Sequence, residues 1–376
     1  MKNIFMKIGE KELISLLSSL IKQKTINPPG NEFLVAKIVE KYFRKNKIKY
    51  KKYEKIKGRT NLLGFIGKGR PSIMIACHAD VVPPGKGWKT DPFKPVIKNG
   101  KIFGRGAADN KGPLAAMLVL GKLLKKIENQ LKGSVILAVV ADEEKGSKFG
   151  MLYLLENGII KPDYAIIPDV EGNMKKIIIG EKGLIHIRVT VTGKQAHAST
   201  PKSGINAIYL MSDFIEKLKK FKFKYKPHKL FSPPTLNVGK ISGGVAPNVV
   251  PGECVAEIDV RYLPSQNYKE ILKELKNLAG KNFKFEVIMH MKPSVIEEKN
   301  MLLNILVKNL KKIGIHPKIK GMGGVTVSKN LVQKGVISFA FGPGDKVAHT
   351  ANEYIRIKEL KKFIEVLYLT ITEFLK

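Results

Sequence analysis

SIMIACHAD, residues 72–80, is a short apolar run that leads directly into a histidine and an aspartate. A run of that length and composition predicts a buried strand. Residues 113–126, PLAAMLVLGKLLKK, carry helical periodicity, and residues 135–141, VILAVVA, are a second apolar strand. A short helix over 149–156 and a third strand over 164–167 follow, and the same texture returns near the end. There 336–341, VISFAF, reads as a strand and 357–375 as a long terminal helix. Such β/α alternation predicts an α/β fold whose mixed, mostly parallel sheet is flanked by helices.

A different pattern lies between. Strand signals over 184–192, 236–241, 254–262 and 283–290 alternate with helical ones over 207–221 and 268–278. The order β-α-β-β-α-β is that of a ferredoxin-like split unit. The simplest organisation is a discontinuous α/β domain, residues 1–183 and 293–376, with an α+β domain, 184–292, inserted at Gly183 and near Pro293.

A chain of 376 residues, 44% hydrophobic and 26% charged, has room for two such cores. No window approaches the run of about 18 apolar residues that a membrane-spanning helix needs, so no membrane association is expected. Residues 1–24 are basic, but Leu13, Leu16, Leu17, Leu20 and Ile21 recur at helical spacing, as on a surface helix rather than a secretory segment. A cytoplasmic location follows as the expectation. Cys77 and Cys254 both fall in apolar strand-like runs and are expected to be buried free thiols. The formal charge of +35 is mostly lysine, spread from end to end, with no nucleic-acid-binding motif and no aromatic ladder. Compositional lysine bias, as in heat-adapted organisms, accounts for it better than a specific nucleic-acid partner.

The acids and imidazoles are not spread. His78 and Asp80 follow the first strand, Glu143 and Glu144 the second, Asp169 the third, and His349 the loop after VISFAF. Asp109 lies in GRGAADNKG, just before a helix. Open α/β sheets bind ligands beyond the carboxyl ends of their strands. Imidazoles and carboxylates suit catalytic Zn²⁺, with Co²⁺ or Mn²⁺ as substitutes. Five ligands exceed the usual three of one catalytic zinc and fit two ions about 3.5–4 Å apart.

The segments HADVVPPG, WKTDPFKP, GRGAADNKGPLAA, ADEE, QAHASTP and GPGDKVAHTANEY occur in one order over nearly the whole chain. In this the chain resembles the metallohydrolase family of acetylornithine deacetylase, succinyl-diaminopimelate desuccinylase, aminoacylase and glutamate carboxypeptidase. The resemblance implies two Zn²⁺ per subunit, bridged by Asp109, with His78 and Asp169 completing one site and Glu144 and His349 the other. Glu143 would be the general base, taking a proton from the attacking water and passing it to the leaving amine. Asp80 would orient the His78 ring, and the Asp109–Asn110 peptide would be cis. The inserted domain would be a lid that also forms a homodimer, through which His197 reaches the neighbouring subunit's site to stabilise an oxyanion. Asn248 and Arg261 match lid positions that touch substrate, although Arg261 could equally pair with Asp259; Gly324 would either line the pocket through its backbone amide or form a turn.

Two departures bear on the acyl group. Asp345 stands where the succinyl enzymes have a carboxylate-binding asparagine, and Lys182 replaces an arginine. The expected reaction is hydrolysis of the amide of an N-acylated amino acid, in amino-acid biosynthesis. A dipeptidase or carboxypeptidase is the alternative, and a basic nucleic-acid-binding protein without catalysis a remote one.

Overall fold

The computed structural model describes residues 8–376, so the first part of the expected N-terminal helix, residues 1–7, lies outside the described residues. The helix Glu10–Ile21 buries Leu13, Leu16, Leu17, Leu20 and Ile21. Among the described residues no helix is long and apolar enough to cross a membrane. The chain forms two compact units. One is the chain up to Ile179 with Ile296–Lys320 and Thr326–Lys376; the other is Gly180–Val295 with Gly321–Val325.

In the first unit the strands stand in the order Lys49–Glu54, Thr60–Gly67, Ser134–Val140, Ser72–His78, Tyr164–Ile167, Ile337–Ala340 and Lys176–Glu181. The four central strands are parallel: Ile75 lies opposite Leu137 and Ile166, and Ile167 opposite Ala340. Both flanks are antiparallel. Parallel strands are covered on both faces by their crossover helices, and every residue of Ser72–His78 is buried. The helix Lys111–Lys125, buried along most of its length, packs against that strand and against the C-terminal helix Ile357–Phe374.

The two strands of the N-terminal flank leave no sequence signal, for physical reasons. Lys49–Glu54, KYKKYE, is a charged edge strand, a composition that discourages further pairing. In Thr60–Gly67 the apolar run is broken by Gly64, where a Cβ would come 2.7 Å from the Phe43 ring.

The second unit has the expected β-α-β-β-α-β order. Its antiparallel sheet runs Thr235–Gly243, Glu253–Tyr262, Gly183–Thr192, Phe283–Met291. Alternation along Glu253–Tyr262 buries Cys254, Ala256, Ile258, Val260 and Tyr262. They join Met211, Phe214, Ile271 and Leu275 of the helices Ala207–Lys220 and Tyr268–Ala279 in one core. Cys77 and Cys254 are buried and free.

The boundaries differ from the expected ones. The chain passes between units at Ile179/Gly180 and Val295/Ile296 rather than at Gly183 and Pro293, because Ser294 and Val295 pair with Glu181 and Gly180. Gly321–Val325, assigned from sequence to the discontinuous domain, groups with the inserted unit. Gly321 N–H donates to Leu230 O, Lys182 N–H to Met322 O and Arg261 Nη1 to Gly323 O, each at 3.0 Å. Bonds between segments so far apart in sequence leave no trace in local periodicity.

Candidate metal centre

Four parallel strands bring their carboxyl ends to one edge of the sheet. His78 is the last residue of its strand and is 2% exposed. Its Nδ1 lies 3.0 Å from the Asp80 carbonyl and 3.5 Å from Asp80 Oδ1, and its Nε2 lies 2.8 Å from Asp109 Oδ1. A ring oriented by a hydrogen bond on one nitrogen offers the other as a ligand. Asp80, fully buried, does more than hold this ring. Its carboxylate accepts the backbone N–H groups of Glu143 and Glu144, each at 3.1 Å, and the Asn27 side-chain amide at 2.8 Å. One carboxylate thus ties the histidine to the glutamate pair.

Two sets of donor atoms, each within 4.8 Å of one another, could hold metal ions: His78, Glu143 and Asp169, and His78, Asp109 and Glu144. His349 Nε2 lies 3.2 Å from both Asp109 Oδ2 and Glu144 Oε2. All six of these side chains, expected from widely separated motifs, therefore converge. The Asp109–Asn110 peptide is cis.

Charge in this cluster needs balancing. Burial raises the Glu143 carboxyl well above its ordinary pKa, and the neighbouring charges of Asp169, Glu144 and Asp109 push the same way against His78. Hydrogen bonds to Asp109 and Glu144 raise His349 to about 10. Burial opposes charging His78, yet its bonds to Asp109 and Asp80 outweigh it and raise that pKa too. Against burial, the two histidines hold Asp109 well below the usual carboxylate range. In the chain alone, positive charge at the imidazoles balances the acids; divalent cations at the same atoms would do so without protons. The donor set fits such ions.

Several supports were not legible in the sequence. Glu353, fully buried, accepts Arg105 Nη1 at 2.6 Å and the N–H groups of Gly106, Ala108 and Asp109 at 3.0, 2.7 and 3.0 Å. It frames the turn that presents Asp109. Asn110 Nδ2 donates to Pro168 O at 2.7 Å, linking that turn to the Asp169 strand end. Asp142, at φ 62°, precedes the glutamate pair and is held by Arg59 at 2.9 Å and Asn27 at 3.0 Å. Glu353 falls in the quoted HTANEY motif, the one available signal; Asn27 and Arg59 had none. The glycines of GRGAADNKG serve packing: a Cβ on Gly112 would lie 2.2 Å from Ala107 O.

The remaining expected residues belong to the second unit. His197 is exposed, and its Nδ1 lies 2.7 Å from Ser199 Oγ and 3.1 Å from the Ser199 N–H. It pairs across a bridge with Val249, and Ala198 N–H donates to Asn248 O at 3.0 Å. Arg261 grips Asp259 through Nε and Nη2, at 2.8 and 2.9 Å. Gly324 follows Gly323, whose carbonyl takes the third Arg261 bond. Lys182 Nζ donates to Ser232 Oγ at 3.0 Å and to Pro233 O at 2.5 Å. In the first unit Asp345 is held by Asn173, Tyr354 and Arg356: its carboxylate accepts Asn173 Nδ2 at 2.6 Å and both Tyr354 OH and Arg356 Nε at 2.8 Å.

An α/β sheet carrying this donor set at its strand ends is the architecture of a metal-dependent hydrolase. Residues 74–373 match the model of peptidase family M20/M25/M40. The chain is 32% identical to an uncharacterised metallohydrolase of Methanocaldococcus jannaschii, over 95% of this chain and 98% of that one. It is also 32% identical to a succinyl-diaminopimelate desuccinylase of Buchnera aphidicola, over 83% of this chain and 86% of that one. A tripeptidase structure from Staphylococcus aureus superposes with TM-score 0.80 at 24% identity, covering 97% of this chain and 98% of that one. The chain belongs to peptidase family M20/M25/M40 and is a metallohydrolase acting on amide bonds.

Proposed function

We propose that the protein releases the acyl group from an N-acylated amino acid, with two divalent cations, Zn²⁺ foremost. His78, Asp109 and Asp169 would hold one, and Glu144, His349 and Asp109 the other. The observation that carries this is the convergence of the six donors, with His349 3.2 Å from both Asp109 and Glu144. Bound there, the cations would polarise the scissile carbonyl and make water acidic enough to attack at neutral pH.

The chain's own residues do the rest. Glu143 takes the proton of the attacking water and delivers it to the leaving amine. Asp80 keeps Glu143 and Glu144 aligned with His78 through their backbone N–H groups. The second unit acts as lid, and Asn248, Arg261 and Gly324 contact the substrate. His197, supplied by the partner of a homodimer, donates to the oxyanion. An exposed apolar groove on this unit supports the dimer: it is lined by Tyr209, 70% exposed, and Val245, 77% exposed.

The desuccinylase relative favours acyl-amide cleavage over peptide cleavage. Purified protein loaded with Zn²⁺ or Co²⁺ should be screened with N-acetylornithine, N-succinyl-diaminopimelate and a dipeptide panel. Turnover confined to dipeptides would replace the deacylase reading with a peptidase one, and hydrolysis that survives exhaustive chelation would end both.

A further inference from the structure

Glu171 is outside the ligand set, two residues beyond Asp169, yet its carboxylate reaches the loop that carries His349. The N–H groups of Val347 and Ala348 both donate to Glu171 Oε1, at 2.5 and 2.6 Å. The neighbouring residues of the two loops are joined as well. Gly172 and Asn173 N–H donate to Gly344 O at 2.8 and 2.9 Å, and Met174 N–H to Gly342 O at 3.0 Å. Those bonds, with Asn173 on Asp345, hold the base of the loop; Glu171 takes the two residues next to the histidine.

His349 needs that support. Its φ is 61°, a left-handed conformation that a residue with a side chain holds only where its surroundings impose it. Its side chain is 54% exposed, so packing does little of this work. The backbone immediately before it is fixed by Glu171. We propose that Glu171 is a positioning residue that sets the His349 half-site and couples it to the Asp169 loop. This rests on the two-cation reading above. An acceptor oxygen at this place matters more than its charge, because the groups it receives are neutral N–H donors.

The test uses full-length protein stripped by chelation and titrated calorimetrically with Co²⁺, with the visible absorption of the bound ion followed in parallel. Wild type should take up two ions. Glu171→Ala should keep one tight ion and bind the second about 10- to 100-fold more weakly, the usual effect of losing a group that orients a ligand. Glu171→Gln, whose amide oxygen accepts the same bonds, should stay close to wild type. Glu171→Asp, charged but too short to reach, should behave like the alanine variant and serves in its place if that one misfolds. An alanine variant that binds both ions as wild type does, or weakens both alike, overturns the proposal. So does a glutamine variant as weak as the alanine one. Wild type binding fewer than two ions would instead sink the two-cation reading and carry this inference with it.

Discussion

Glu143 and Glu144 are adjacent and chemically identical, and their surroundings separate them. Glu144 faces His349, whereas Glu143 lies beside Asp169 and is pushed toward its neutral form by burial and by the acids around it. Glu143→Gln should lower kcat by about a hundred- to ten-thousand-fold, the usual contribution of a general base, with metal content by atomic spectrometry unchanged. Loss of metal would make Glu143 a ligand instead, as its place beside His78 and Asp169 allows. His197→Ala should cost about a hundred- to a thousandfold in kcat, as for one oxyanion donor, and leave Tm unchanged because the side chain is exposed. The candidate donors were legible in the sequence because few residue types bind cations and all but Asp109 follow strand signals. Glu353, Glu171 and Asn27 were not, because they act on groups distant in sequence, chiefly backbone amides.

At the scale of elements, the parallel strands need fixing at the end opposite the metal centre as well. Asp163, just before the strand Tyr164–Ile167, accepts Ser72 N–H at 2.8 Å and Ser72 Oγ at 2.9 Å, and pairs with Arg70. It thereby clamps the starts of two neighbouring strands. Arg70 holds the Asp163 carboxyl at about 2, below its ordinary 3.8, with burial opposing and Ser72 assisting. A depressed carboxyl pKa stabilises the fold above the ordinary value and loses that effect as pH falls through the depressed one. Asp163→Ala should therefore cost about 1–2 kcal/mol near pH 7, discounted for the exposed Arg70, as measured by urea unfolding. The difference from wild type should shrink as pH falls from about 4 to about 2; a gap that persists at the lowest pH would mean that packing, not the carboxylate, holds the clamp.

For the whole molecule, the proposed exchange of His197 between subunits has a direct consequence. Mixing the His197→Ala and Glu143→Gln proteins under conditions that let subunits exchange should recover part of the lost activity. A mixed dimer has one site with an intact Glu143 and a partner's intact His197. No recovery, with mixed dimers shown by mass spectrometry, would place His197 in its own subunit's site or outside catalysis. Chelation should abolish turnover, and added Zn²⁺ or Co²⁺ should restore it.

Local order in the chain was enough for the α/β alternation, the inserted β-α-β-β-α-β unit and the cluster of candidate metal donors. Strands, helices and ligand chemistry are written in residue types at short spacing. The placement of Gly321–Val325 with the inserted unit, the bonds of Asp345 to Asn173, Tyr354 and Arg356 and the carboxylates that brace Asp109 and His349 emerged only in three dimensions. Each depends on hydrogen bonds between segments that the folded chain brings together, and a backbone N–H looks the same at every position in the sequence.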